Sequence, residues 1–249
     1  MQLRPSAAQS LILLSLAALF AWLGQWQLER KQQKEELLEL YANAPQFEYP
    51  QVDGLNLPYA RVQLTGQYDR NWQLLVDNKV FNGRAGVHVL TLFHPTFGKP
   101  VLVNRGWLPL GPDRSILPDV PTPENRTQIS GMLVNPSEDG VRIGEPQKLA
   151  GLAMPMLVTY LSMSEVSSAL DGKVSQQLLQ LDARDTSGFQ DRGWKPTVMM
   201  PAQHGAYALQ WFSLSLAIVV IWFTLSWRRG RQPHPGEDSG AQHVKQEQS

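Results

Sequence analysis

The chain contains no cysteine. That excludes disulfides, thiolate metal sites, CxxC redox chemistry and covalent c-type haem attachment, so a transition metal must be held by His, Met, Tyr or carboxylate. Histidine is scarce as well, with five in 249 residues. Neither sign of charge is in excess: 22 Lys and Arg stand against 22 Asp and Glu overall, and 14 against 15 between Phe47 and Met200. A balanced surface exerts no general pull on nucleic acid, so none is expected as a partner. Also missing are a GxSxG elbow, a Walker loop, an HExxH helix and a dinucleotide fingerprint. No catalytic residue is assigned, and the expectation is a protein that is not an enzyme.

What is present are two long apolar runs at the two ends. Tyr207 to Trp227 holds 21 residues without a charge and is followed at once by Arg228, Arg229 and Arg231. Such a run spans a hydrocarbon core of about 30 Å as a helix. The second run extends from Ser10 to Leu28, with Leu11 to Leu23 broken only by Ser15 among polar residues. It could pass for a secretory signal, but Trp22, Gln25, Trp26 and Gln27 stand where a peptidase needs small side chains. An uncleaved anchor is the better reading.

The expected organisation is a transmembrane helix over 10–28, a helical extension over 29–45, a β-rich domain over 46–200, a transmembrane helix over 204–227 and a disordered polar tail over 230–249. Lys and Arg next to membrane helices are retained in the cytoplasm, so the C-terminal Arg cluster places both termini there and the central domain in the periplasm of a cell inner membrane. Arg30, Lys31 and Lys34 run against that bias, although Glu29, Glu35 and Glu36 are interleaved with them and long domains cross largely regardless of local charge.

Within the central domain, short β-type runs alternate with Gly, Pro, Asn and Asp clusters: YARVQLTGQYD, WQLLVDNKV, GVHVLTLF, PVLVNRGWL, TQISGML, PMLVTYL and QQLLQLDA. The fold class is therefore an α+β membrane protein whose terminal helices flank a mainly antiparallel sheet or partly closed barrel. Asp77-Asn78 and Gly83 with Gly86 read as turns that begin and end a hairpin. One helix is expected over Ser164 to Leu170, capped by Ser162 or Ser164 and ended by Asp171-Gly172. Pro109 to Pro123 and Asn135 to Pro155 read as surface loops.

His204 is the sharpest candidate for chemistry, because it places a metal-competent imidazole where membrane meets water. Helical spacing carries Tyr207, Ala208 and Trp211 round to its face, a surface against which a flat apolar ligand with a metal centre could lie. The competing reading is an interfacial aromatic belt of His204, Tyr207, Trp211 and Trp222 that binds nothing, and position alone favours it. His88 and His94 share a strand but stand about 20 Å apart, too far for one metal. His234 and His243 are assigned nothing. Arg105, Gly106 and Trp107 end a strand, where a guanidinium, a flexible residue and an aromatic can clamp a carboxylate and cover an apolar plate. An Arg in a structural ion pair at a Gly turn serves the same residues equally well.

Four blocks in register, LGQWQLERKQQK, LLVDNKVFNGRAGVHVLTLF, VLVNRGWLPLG and HGAYALQWFSL, resemble the Surfeit locus protein 1 (Surf/Shy) family of cytochrome c oxidase assembly factors, as a bacterial member. Val87, Leu92 and Lys79 depart from the family pattern at the hairpin. The resemblance implies a non-enzymatic factor that helps mature the haem and copper centres of the oxidase's catalytic subunit. It implies haem a as a transient cofactor, with His204 at the family's His position as its axial metal ligand and Tyr207 and Trp211 beside it. Arg105 and Trp107 match the Arg-Gly-Trp block as a propionate or partner contact. The implied partners are the catalytic subunit, haem a synthase as a further candidate, and the lipid bilayer. The alternative is a membrane-anchored scaffold that stabilises an oxidase subunit and touches no cofactor.

Overall fold

A mostly apolar run, then a polar stretch with Leu37, Leu38 and Tyr41 at helical spacing, carry the chain into a helix of 36 residues, α1 (Ala7–Ala42). At about 1.5 Å per residue it is about 54 Å long, so the apolar half runs on into the polar stretch without a break. The elements that follow are β1 (Gln46–Glu48), β2 (Tyr59–Phe81), β3 (Arg84–Pro95), β4 (Val101–Pro109), β5 (Thr127–Val134), β6 (Met156–Val158), α2 (Met163–Ala169), β7 (Leu178–Leu181) and α3 (Pro201–Trp227). A computed structural model describes residues 5–52, 55, 57–136, 149, 153–197 and 199–227. Arg228, Arg229, Arg231, the tail from 230 to 249 with His234 and His243, and most of the loop between Asn135 and Pro155 lie outside the described residues. The chain forms two compact units, Met1–Glu36 with Thr197–Ser249, and Leu37–Pro196.

The β unit is a ring of strands in the order β1-β2-β3-β4-β7-β5, with β5 pairing back onto β2 and β6 adding to β2 off this path. Pairings β2–β3, β3–β4, β2–β5 and β5–β7 are antiparallel, and the short β1–β2, β4–β7 and β2–β6 contacts are parallel. The expected mainly antiparallel sheet is thus present. Two runs read as separate strands, YARVQLTGQYD and WQLLVDNKV, are one strand. β2 bends where its register against β3 shifts between Tyr68 and Gln73, with the Asn71 N–H donating to Asp69 Oδ1 at 2.8 Å. The bend lets the first half pair with β5 and the second with β3, which joins the ring.

The hairpin after β2 turns on Asn82 and Gly83, both left-handed with φ of 48° and 74°. Asp77-Asn78, expected as a turn, is instead a bulge inside β2. The register shifts there, Asn78 sits at φ 61°, and its N–H donates to Asp77 Oδ1 at 2.6 Å. Gly86 lies within β3, where a Cβ would meet Leu108 O at 2.2 Å and the Trp107 ring at 2.4 Å, so it is close packing that requires glycine there.

Period-two alternation buries both faces of the ring. Val101, Val103, Leu133, Leu179 and Leu181 enter one core with Phe93 and Tyr68, while their neighbours Leu102, Met132, Val134 and Leu178 enter a second with Leu90 and Leu92. α2 covers the second core through Met163 and Val166. Ser162 caps that helix by accepting from the Glu165 N–H, and Asp171 and Gly172, at φ 52° and 72°, end it. The segment 110–126 is a loop, as its prolines require.

α1 and α3 are long and apolar enough to cross a membrane. Their side chains are mostly uncovered: Leu11 is 69 % and Leu209 70 % exposed. A core helix of a soluble protein would bury such residues, each worth about 1.5–3 kcal/mol. Lipid is the covering that fits, and the two helices anchor the chain in a membrane.

Candidate functional site

α3 opens on Pro201, whose missing N–H costs nothing in a first helical turn. Gln203 reaches back so that its Oε1 accepts the Met200 N–H at 2.9 Å, closing the helix start. His204 therefore stands in an ordered first turn, and the helix spacing aligns it with Ala208, Trp211 and Ser215.

That face of α3 packs on α1 in antiparallel order. Ser215 Oγ donates to Ala17 O at 2.8 Å, the Trp211 and Phe20 rings lie 5.4 Å apart, and a Cβ on Gly24 would come within 2.7 Å of the Phe212 ring. Gly24 and Ser215 serve as the close-approach points of this seam. Ser213 does not, for it is exposed and bonds back to Leu209 O at 2.8 Å.

At the aqueous end of this seam, His204 is 7 % exposed and its Nδ1 stands 2.8 Å from Gln27 Oε1. A carbonyl oxygen only accepts, so Nδ1 carries the proton and donates. Nε2 is then the lone-pair nitrogen, and it is buried with no hydrogen-bond partner among the described residues. An unmet buried polar atom costs about 1–3 kcal/mol; Gln180 Oε1 and Trp222 Nε1 share that state among the described residues, and His204 Nε2 is the one imidazole nitrogen of the three.

Tyr207 departs from the expected arrangement. Three residues along a helix place it about 60° round from His204, and at 47 % exposure it points away from the α1 seam. Trp211 does share the His204 side, with its ring tilted at 41° against Phe20. The helix-pair unit thus brings His204 and Trp211 to one side and leaves Tyr207 on the outer surface.

Arg105 and Trp107 belong to β4 in the other unit. Arg105 is 2 % exposed. Its Nε and Nη2 donate to Ser187 O at 2.8 and 2.6 Å, and Nη2 also to Pro121 O at 2.9 Å. The guanidinium lies between the Tyr68 and Phe189 rings, 4.8 and 4.7 Å from their centroids. No carboxylate is hydrogen-bonded to it among the described residues, so neither the open clamp nor the ion pair describes its role. Burial lowers its pKa, but a guanidinium remains charged, held by carbonyl dipoles and ring faces. The same burial pushes the Tyr68 hydroxyl up to about 12, and that hydroxyl pairs with Ser187 Oγ at 3.0 Å.

Trp107 is also internal. Its Nε1–H donates to Lys79 O at 3.1 Å and its backbone exchanges hydrogen bonds with Gln190. Between them Gly106 sits at φ 110°, where a Cβ would strike Gln190 O at 2.5 Å. The Arg-Gly-Trp block clasps the segment 187–190 against β4, with the Arg105 and Trp107 side chains directed inward.

His88 and His94 stand apart. His88 is half-buried, 3.4 Å from Asn104 and edge-on to Trp194 at 5.6 Å, and burial, then the Lys79 charge, lowers its pKa to about 4. His94 is exposed beside Asp69 at 3.4 Å. Among the described residues no three His, Asp or Glu side chains gather as a metal-ion cage.

Gln27 is the site residue that sequence reading passed over. Its signal was weak: it is one of two amides, Gln25 and Gln27, flanking Trp26 where the apolar run ends, and only the partner it finds sets it apart.

A model of the SURF1 family matches residues 14–216, a span that contains all four sequence blocks, Gln27 and His204. A SURF1-like protein of Monosiga brevicollis is 27 % identical over 242 residues, covering 88 % of each chain. One from Rickettsia felis is 25 % identical over 236 residues, covering 86 % of this chain and 94 % of its own. Surfeit locus protein 1 of Takifugu rubripes is 24 % identical over 235 residues, covering 85 % and 94 %. A family match of this length, running from one membrane helix through the strand ring to the other, makes the chain a member of the SURF1 family.

Proposed function

We propose that this protein is an assembly factor for haem-copper cytochrome c oxidase, and that its helix pair holds or guides haem a beside the catalytic subunit while the β unit docks that subunit on the outer face of the membrane. The observation that carries this reading is His204, buried, with Nδ1–H committed to Gln27 and the Nε2 lone pair unspent. The donor set fits haem better than a bare ion. One imidazole with no other metal ligands grouped beside it among the described residues would hold a bare ion weakly, whereas haem brings four nitrogens of its own and would need from the protein only a further ligand such as His204 Nε2. Trp211 would supply aromatic surface on the same side, and a single ligand from the protein would suit a cofactor that must be released again.

The test is the haem content of detergent-purified protein from cells that make haem a. The native chain is expected to show a Soret band and His204→Ala to lose it by at least about tenfold. Unchanged haem content and spectrum in His204→Ala reject the ligand role. One observation favours the second reading, a scaffold that binds no cofactor: Nε2 is enclosed, so a ligand reaches it only when a neighbouring side chain gives way. On that reading the native protein carries no Soret band.

A further inference from the structure

We propose that Gln27 is a positioning residue: its side-chain carbonyl holds the His204 imidazole in the Nδ1–H tautomer and so keeps Nε2 available as a ligand atom. This rests on the haem-holding role proposed for His204. Both residues lie in the helix-pair unit, Gln27 on α1 and His204 in the first turn of α3, 2.8 Å apart.

The argument turns on what a neutral imidazole can offer. One ring nitrogen donates and the other accepts, and the group bonded to the first decides which is which. An acceptor opposite Nδ1 forces the lone pair onto Nε2, the arrangement in which a metal-binding imidazole is commonly held by a carbonyl or carboxylate. The same hydrogen bond restricts rotation about the Cβ–Cγ bond, so the ring is aimed as well as tuned.

A purely architectural bond between helices would do less. Ser215 to Ala17 already ties α3 to α1 farther along the seam, and Gly24 against Phe212 sets their closeness. A hydroxyl at 204 could pair with Gln27 and bury no second polar atom. His204 instead brings an Nε2 that remains unmet, and that makes sense where the second nitrogen has work to do.

Nitrogen-15 NMR of histidine-labelled, cofactor-free protein in detergent reads the tautomer directly. The native chain is expected to show His204 protonated at Nδ1 and bare at Nε2. Gln27→Leu removes the acceptor while keeping similar bulk: the proton is expected to move to Nε2, and haem retained by protein from haem a-producing cells to fall about 10–100-fold. Gln27→Glu restores an acceptor and is expected to restore both the tautomer and the haem, and the tautomer shift in Gln27→Leu is the readout that a loss of packing alone would not produce. An Nε2–H signal in the native chain overturns the proposal, and so does Gln27→Leu with tautomer and haem unchanged. Should Gln27→Leu fail to insert, the native tautomer and the Gln27→Glu variant still decide. If His204→Ala keeps its haem, the haem reading falls separately, and the tautomer measurement still judges Gln27.

Discussion

Arg105 in the strand ring and His204 in the helix pair are both polar and both nearly sealed from solvent, at 2 % and 7 % exposure. Arg105 donates to two backbone carbonyls and is sandwiched by two rings. His204 has one nitrogen met and, among the described residues, one unmet. Burial alone therefore says little about function. A buried polar group whose bonds are complete is spent on the fold, and one with an open valence is a candidate for ligand chemistry.

The sharpest way to break this contrast is Arg105→Ala. It strands the Ser187 and Pro121 carbonyls and empties the space between Tyr68 and Phe189, at a cost of about 3 kcal/mol or more. The expected outcome is a clearly lower melting temperature of the β unit, followed by circular dichroism or limited proteolysis. A variant that melts like the native protein yet loses haem would return Arg105 to a ligand-contacting role and erase the difference.

A comparable effect is expected from acid. The folded-state pKa of His88, about 4, lies below the ordinary imidazole value of 6.5, so the unfolded chain takes up the proton first as pH falls. The stability that goes with a neutral, half-buried ring is complete above about pH 6.5 and drains between there and about pH 4, by up to about 3 kcal/mol. His88→Asn should flatten that part of the stability profile; an unchanged slope would mean that other groups carry it. Since His88 is half-buried in the β unit and is given no ligand task, haem retention at neutral pH should not change.

The smallest change expected is at Gly24. Alanine there presses on Phe212, whose ring can swing, and should weaken the helix seam by about 1–3 kcal/mol, with leucine costing more. Cross-linking between engineered cysteines on α1 and α3 would follow the loss. A seam that tolerates leucine without change would show that the two helices do not depend on this contact to present His204.

Much of the fold was legible because its signals are local. Two charge-free runs announce helices for lipid, and alternating residues between Gly, Pro, Asn and Asp clusters announce strands. The cap at Ser162 and the stop at Asp171-Gly172 follow from side-chain chemistry within one turn. Less local features were misread. The unity of β2 depends on whether a polar stretch around Asp69 to Trp72 is a turn or a bulge, and pairing partners far along the chain decide that. Asp77-Asn78 failed for the same reason, since a left-handed Asn serves a bulge as well as a turn.

The sequence by itself determined that this chain has two membrane helices, a mainly antiparallel β unit, no thiol chemistry and a lone imidazole at the head of the second helix. Periodicity and composition are properties of neighbouring residues, and those suffice. Only the tertiary structure decided that Arg105 and Trp107 face inward, that Tyr207 turns away, and that Gln27, 177 positions before His204, holds its ring. Hydrogen-bond completeness depends on which distant atoms arrive, and the order of residues along the chain does not state it.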